Sequence, residues 1–209
     1  MFLSKPNQLT VVRIVLTPFF AACLPFDSIF YKYLALFIFI LASFTDWLDG
    51  YLARKSGDIT DTGMYLDPLA DKFLTITAFG MFSFLGFVPF WMFIAIALRG
   101  ILVTGLRSYA LSKNKPIVTS KKAKWKTASQ MAAIYLLFVW MIMKVTYQDV
   151  VPLPWLIEKV EEWDLVHFMM LFVTVFTVYT GVIYFYENRN HLKNILIAFY
   201  RVFIPTNVR

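Results

Sequence analysis

Between residues 46 and 71 the chain reads DWLDGYLARKSGDITDTGMYLDPLAD, six carboxylates in 26 residues of a protein that is otherwise 59% hydrophobic. Asp46 and Asp49 are three apart and Gly50 follows; Asp67 and Asp71 are four apart and Gly63 stands four before Asp67. On helices each of these sets shares a face, and a glycine leaves that face open. Ionised carboxylates beside hydrocarbon are costly unless they meet water, a cation or a partner, and four together repel one another. Something positive has to sit among them. The donors are all hard oxygens and no cluster of His or Cys competes, so Mg²⁺ or Mn²⁺ is the natural occupant. Four carboxylates on two helices can hold two such ions, an arrangement suited to neutralising a diphosphate as it is cleaved. Asp58 and Asp61, in the intervening loop, read as solvated residues or helix caps. An Asp-Gly pair is also a common turn and a lone carboxylate a common cap. For Asp49 alone that explanation would suffice, but two glycine-associated pairs on consecutive apolar helices point to a site.

The elements that must position these acids are membrane helices. The chain has 209 residues, 22 of them Phe, with only 16% charged, and a mean hydropathy of +0.64. That balance lies outside the soluble range. Apolar stretches of spanning length recur at residues 9–24, 29–48, 69–86, 89–111, 128–147 and 165–186, which predicts an all-α polytopic protein with six transmembrane helices in one catalytic domain over 1–209. The first run contains Arg13 and Pro18 and lacks a small-residue cleavage site, so it is expected to be retained as a helix rather than removed as a leader. The single cysteine, Cys23, allows no internal disulfide and reads as apolar filler.

Lysine and arginine recur on alternate sides of the runs. Lys5 and Arg13, then Arg54 and Lys55, then the cluster from Lys113 to Lys126, then Arg189, Lys193, Arg201 and Arg209 fall on one side, with Lys32 and Lys159 on the other. The positive-inside bias therefore places both termini and the acid-rich segment in the cytoplasm. The net charge of +7 does not require nucleic acid as a partner, because the basic residues border apolar segments where anionic headgroups or a phosphorylated substrate can meet them. Residues 190–203 carry Leu192, Ile195, Leu196, Phe199 and Phe203 on one stripe and are expected to form an interfacial helix. VPLPWLIEKVEEWD, at 151–164, reads as a short interfacial connection on the opposite side.

The acid-rich segment also resembles a known signature. Asp46, Asp49, Gly50, Ala53, Arg54, Gly63, Asp67 and Asp71 match D-x2-D-G-x2-A-R-x8-G-x3-D-x3-D, the pattern of the CDP-alcohol phosphatidyltransferases, at every fixed position and every gap. The resemblance implies a six-helix membrane fold, a homodimer, and transfer of a substituted phosphoryl group from a CDP-linked donor to an alcohol with release of CMP. Carried over by position, it makes Asp46, Asp49 and Asp67 ligands of one metal ion, and puts Asp71 with Asp46 and Asp67 around a second. Asp71 would also be the base that takes the acceptor's proton. Asp49, Gly50, Ala53, Arg54 and Gly63 would bind the CDP moiety of the donor.

Further segments, PNQLTVVRIVLTPFF at 6–20, LVTGLR at 102–107 and KWKTASQM at 124–131, resemble those members of the family that use CDP-diacylglycerol and sn-glycerol 3-phosphate in bacterial inner membranes. Acceptors such as inositol phosphate, serine or phosphatidylglycerol stay open at this point. One departure concerns Arg99, which is followed by Gly100 where such members usually have Glu. A phosphorylated acceptor also fits the residues themselves. Arg99 and Arg107 are eight apart in an apolar helix and share a face, and Lys124 and Lys126 open the next helix. Thr127 and Gln130 could line the same pocket. The alternative for Arg107 and the lysines is anchorage to headgroups by snorkelling. A transporter would also carry intramembrane charges, but spread through the membrane depth rather than gathered toward one side.

Overall fold

A computed structural model describes residues 5–56, 61–112, 121–147 and 154–189, and all regular structure among them is helical. Six long helices, α1 (Lys5–Cys23), α2 (Ile29–Ser56), α3 (Asp61–Phe84), α4 (Phe90–Ser112), α5 (Lys121–Tyr147) and α7 (Leu165–Glu187), are joined by one short one, α6 (Pro154–Glu162). Helices α1, α2 and α3 pack as a group, α3 continues onto α4 and α5, and α7 lies against α4 and α5.

Among the described residues four helices, not the six expected, contain a stretch long and apolar enough to cross a membrane: Ile29–Leu52, Phe90–Ala110, Thr127–Thr146 and Leu165–Glu187. The runs expected as the first and third spans do form helices. Within the described residues their apolar portions are shorter, Gln8–Cys23 and Lys72–Phe84. α3 begins at Asp61, so Pro68 lies inside it rather than at its start, and Gly63, Asp67 and Asp71 stand one helical turn apart on one face. α2 runs on to Ser56, which keeps Asp46, Asp49, Gly50 and Ala53 in a single helical register. The expected interfacial helix at 190–203 lies outside the described residues.

The core is aromatic. The Phe138 ring of α5 meets Phe20 of α1 at 6.0 Å, Phe39 of α2 at 5.5 Å and Phe82 of α3 at 5.1 Å between centroids. Four helices thus converge on one buried ring, in the tilted and edge-on geometries that the ring quadrupole favours. Outward, Phe19, Phe37, Leu102, Phe172 and Val182 are exposed, on a scale that only a lipid environment accommodates.

On the side away from the acids the helix ends are closed by specific bonds. α3 stops in a Schellman turn: Phe87 N–H donates to Phe82 O at 2.9 Å and Gly86 N–H to Ser83 O at 3.1 Å. Gly86 has φ +80°, the left-handed region in which a side chain is disfavoured. Lys32 is buried and donates from Nζ to the Leu24 carbonyl at 2.7 Å, so this cation satisfies the end of α1.

Candidate active site

The first acid pair is built by α1 and α2. Arg13, 0% exposed, projects from α1 between Asp46 and Asp49. Nη1 lies 2.7 Å from Asp46 Oδ1, and Nη2 donates to Asp49 Oδ2. The two carboxylates differ in setting: the Asp46 side chain is 41% exposed and that of Asp49 only 7%. Asp49 is therefore held within the bundle, while Asp46 opens toward solvent. Both stand on α2 at i and i+3, where two like charges would repel unless a cation lies between them. The guanidinium fork matches that need, since it offers two N–H edges in one plane.

Arg13 entered the sequence analysis only as a flanking charge; the structure makes it the positive group of the first pair. The signal for this was present. Thr10, Arg13 and Thr17 recur at helical spacing in an apolar run, all three are buried, and Thr17 Oγ1 donates to the Arg13 carbonyl at 2.8 Å. An arginine on a polar stripe inside an apolar helix needs an acidic partner.

The second pair lies on α3. Asp67 and Asp71 occupy its opening turns, and the side chains of Ala53, Arg54, Gly63, Asp67 and Asp71 fall outside the described residues, as do those of Lys124 and Lys126. Gly50 is half-buried on α2. Among the described residues no three side chains of His, Cys, Asp or Glu gather as a metal site; the described contribution is the pair Asp46 and Asp49. That pair fits a divalent cation in donor chemistry, being two hard carboxylates that already converge on positive charge.

The next cluster joins α4 to α7. Arg99 points at α7, where its Nη2 lies 3.4 Å from Thr180 Oγ1, a long contact for a charged donor. Its buried Nε has no hydrogen-bond partner among the described residues, and neither has the buried hydroxyl of Tyr184. Tyr184 stands within electrostatic range of both Arg99 and Arg107. Gly181 makes the approach possible, since a Cβ there would come 2.7 Å from Arg99 Cγ. Arg107, two turns along α4, is exposed. Gln130 is buried and donates from Nε2 to Thr177 Oγ1 at 3.1 Å, tying α5 to α7. Thr127 is half-buried on the same helix.

Thr177, Thr180, Gly181 and Tyr184 were not singled out from sequence. Their spacing puts small and polar residues on one stripe of an otherwise apolar helix, and that stripe is the buried face of α7. Gly100 is buried, and a Cβ there would lie 3.5 Å from Lys72 Cδ and 4.0 Å from Ile76 Cδ1, so α4 packs closely on α3 at this point.

Comparison with known proteins decides the family. Residues 3–183 match the model of the CDP-alcohol phosphatidyltransferases. The chain belongs to that family. A relative from Bacillus subtilis, a CDP-diacylglycerol–glycerol-3-phosphate 3-phosphatidyltransferase, is 35% identical over 202 residues, covering 91% of this chain and 97% of the relative. Proteins of the same description from Cereibacter sphaeroides and Haemophilus influenzae are 39% and 38% identical over 141 and 138 residues. These alignments cover 65% and 62% of this chain, and 63% and 72% of the relatives. Membership makes the chain a membrane-associated phosphatidyltransferase.

Proposed function

We propose that the protein transfers the phosphatidyl group of CDP-diacylglycerol to sn-glycerol 3-phosphate, giving phosphatidylglycerophosphate and CMP. The observation that carries this reading is the match to the family over residues 3–183, in a chain that aligns along 97% of a relative bearing that activity in its name.

In this mechanism Asp46, Asp49, Asp67 and Asp71 hold Mg²⁺ or Mn²⁺, two ions per site, which would neutralise the diphosphate and stabilise the charge that builds up on it. Asp71 accepts the proton of the acceptor hydroxyl as its oxygen attacks the phosphorus that bears the diacylglycerol. The bond from that phosphorus to the bridging oxygen breaks, and CMP leaves with the electron pair. Gly50, Ala53, Arg54 and Gly63 lie along the cytidine diphosphate, with Asp49 at its metal-facing end. Arg99 and Arg107, with Lys124 and Lys126, bind the acceptor's phosphate. A guanidinium inside an apolar helix whose Nε meets no protein acceptor among the described residues is suited to an anionic ligand.

The acceptor is tested by supplying CDP-diacylglycerol and Mg²⁺ to purified protein and measuring CMP release with different alcohols. sn-Glycerol 3-phosphate should far outperform inositol phosphate, serine, glycerol and phosphatidylglycerol. Gly181→Ala, which forces Arg99 aside, should then raise the KM for glycerol 3-phosphate or lower kcat/KM by about 10-fold, the scale of one charge-assisted hydrogen bond, while donor affinity changes little. Preference for another acceptor would discard the name and leave the reaction class.

The proposal includes a topology. The acids and both termini face the cytoplasm of a bacterial inner membrane, and the enzyme works as a homodimer, as the family resemblance implies. In a Cys23→Ser background, a cysteine at position 58 should be shielded from an impermeant thiol reagent in intact cells with the outer face accessible. One at Glu161, exposed at the end of α6, should be labelled. The opposite pattern would invert the orientation.

A further inference from the structure

Arg13 pairs with both acids of the first pair, and nothing in the reaction outlined above assigns it a role. We infer that Arg13 is a positioning residue for the metal ligands: its guanidinium donates to Asp49, pairs by charge with Asp46, and thereby sets how the two carboxylates present themselves to a divalent ion. The inference rests on the reading that these acids hold such an ion.

Three observations carry it. Arg13 is fully buried and reaches both carboxylates from a different helix, 36 residues away from Asp49 in sequence. Its contacts are divided, Nη1 to Asp46 Oδ1 and Nη2 to Asp49 Oδ2. An ionised carboxylate has two oxygens and about four lone-pair sites, which lets it accept from a guanidinium and coordinate a cation at once. Finally, the arginine is itself anchored, because α1 packs along α2 and α3 and Thr17 bonds the Arg13 carbonyl. A carboxylate at a helix surface otherwise explores several rotamers. Asp46, at 41% exposure, has the room to do so, and Arg13 removes it.

A lysine could neutralise the pair but could not grip both acids, because its ammonium is a single point rather than a planar fork. Partners behind metal ligands typically contribute 10–100-fold to metal affinity.

The test is divalent-ion binding without substrate, with Mn²⁺ titrated into detergent-purified protein and followed by electron paramagnetic resonance or calorimetry. Arg13→Gln should weaken Mn²⁺ binding by about 10–100-fold. The sign is diagnostic: removing a positive charge beside a cation site should by Coulomb's law tighten binding, so a loss reports orientation, not charge. Arg13→Lys keeps the charge and serves where the glutamine variant fails to give a monodisperse helical protein; it should still lose about 10-fold. Tighter or unchanged Mn²⁺ binding in folded Arg13→Gln, or wild-type affinity in Arg13→Lys, would overturn the inference. Failure of the wild-type protein to bind Mn²⁺ would instead overturn the metal reading on which it rests.

Discussion

Asp71→Asn is expected to abolish transfer, lowering kcat by about 10²–10⁴-fold, the range associated with loss of a general base, with loss of a metal ligand added to it. Asparagine keeps the size and polarity of aspartate but cannot accept the acceptor's proton. A carboxylate is by itself a weak base for an alcohol, with a reference pKa of about 4. Its effectiveness depends on proton transfer being concerted with attack on a phosphorus whose charge is already neutralised. CMP release measured at saturating donor and acceptor reads kcat directly. Nucleotide binding by calorimetry with metal present separates the roles, since Asp71→Asn should leave donor affinity nearer to normal than Asp46→Asn or Asp67→Asn, each of which would touch both ions in the proposed mechanism. Near-normal turnover in Asp71→Asn would remove it from the chemistry.

The second large effect is the loss of all turnover on chelation of divalent ions, restored by Mg²⁺ or Mn²⁺. It is coupled to an asymmetry between the two acids of α2 that their surroundings dictate. Asp46→Asn should prevent restoration of activity while leaving the protein folded, because that side chain is 41% exposed and water can replace part of what it gives Arg13. Asp49→Asn should also lower the unfolding temperature in detergent. Its side chain is only 7% exposed against a fully buried guanidinium, and breaking a buried pair from one side typically costs about 3–5 kcal/mol. Activity of both variants across a metal titration, with their thermal unfolding in parallel, checks the pair of expectations. Metal-independent turnover at the wild-type rate would sink the mechanism, whereas equal stability of the two variants would show that Asp49 does not depend on Arg13.

Both predictions trace to features that were legible before any fold was known. The spacing of Asp46 and Asp49, and of Asp67 and Asp71, fixes which face of a helix each pair occupies, because helical geometry depends only on residue number. The hydrophobic runs determine the helices for a similar reason: burial of the backbone in an apolar medium requires its hydrogen bonds to be made within the segment. Composition alone therefore announced an all-helical membrane protein, and the order of acids and glycines announced the family. The expectation of six spans was not met: among the described residues four helices are long and apolar enough to cross a membrane, and α1 and α3 offer shorter apolar stretches. Tertiary structure turns the interior arginine of α1 into a partner of acids on α2.

What only the fold decided is pairing at long range. Nothing local to α1 says that Arg13 meets Asp49, which lies 36 residues away; the meeting follows from the packing of α1 on α2 around Phe20 and Phe39. In the same way, Arg99 was recognisable as a charge out of place in an apolar helix, but its neighbours Thr180, Gly181 and Tyr184 come from a helix some eighty residues further along. The close fit that requires Gly181 exists only when α4 lies against α7. Sequence determined which groups could do chemistry and on which helix face each would stand. Tertiary structure decided which of those faces meet, because the choice among apolar surfaces is made by the shape complementarity of side chains that composition and periodicity do not encode.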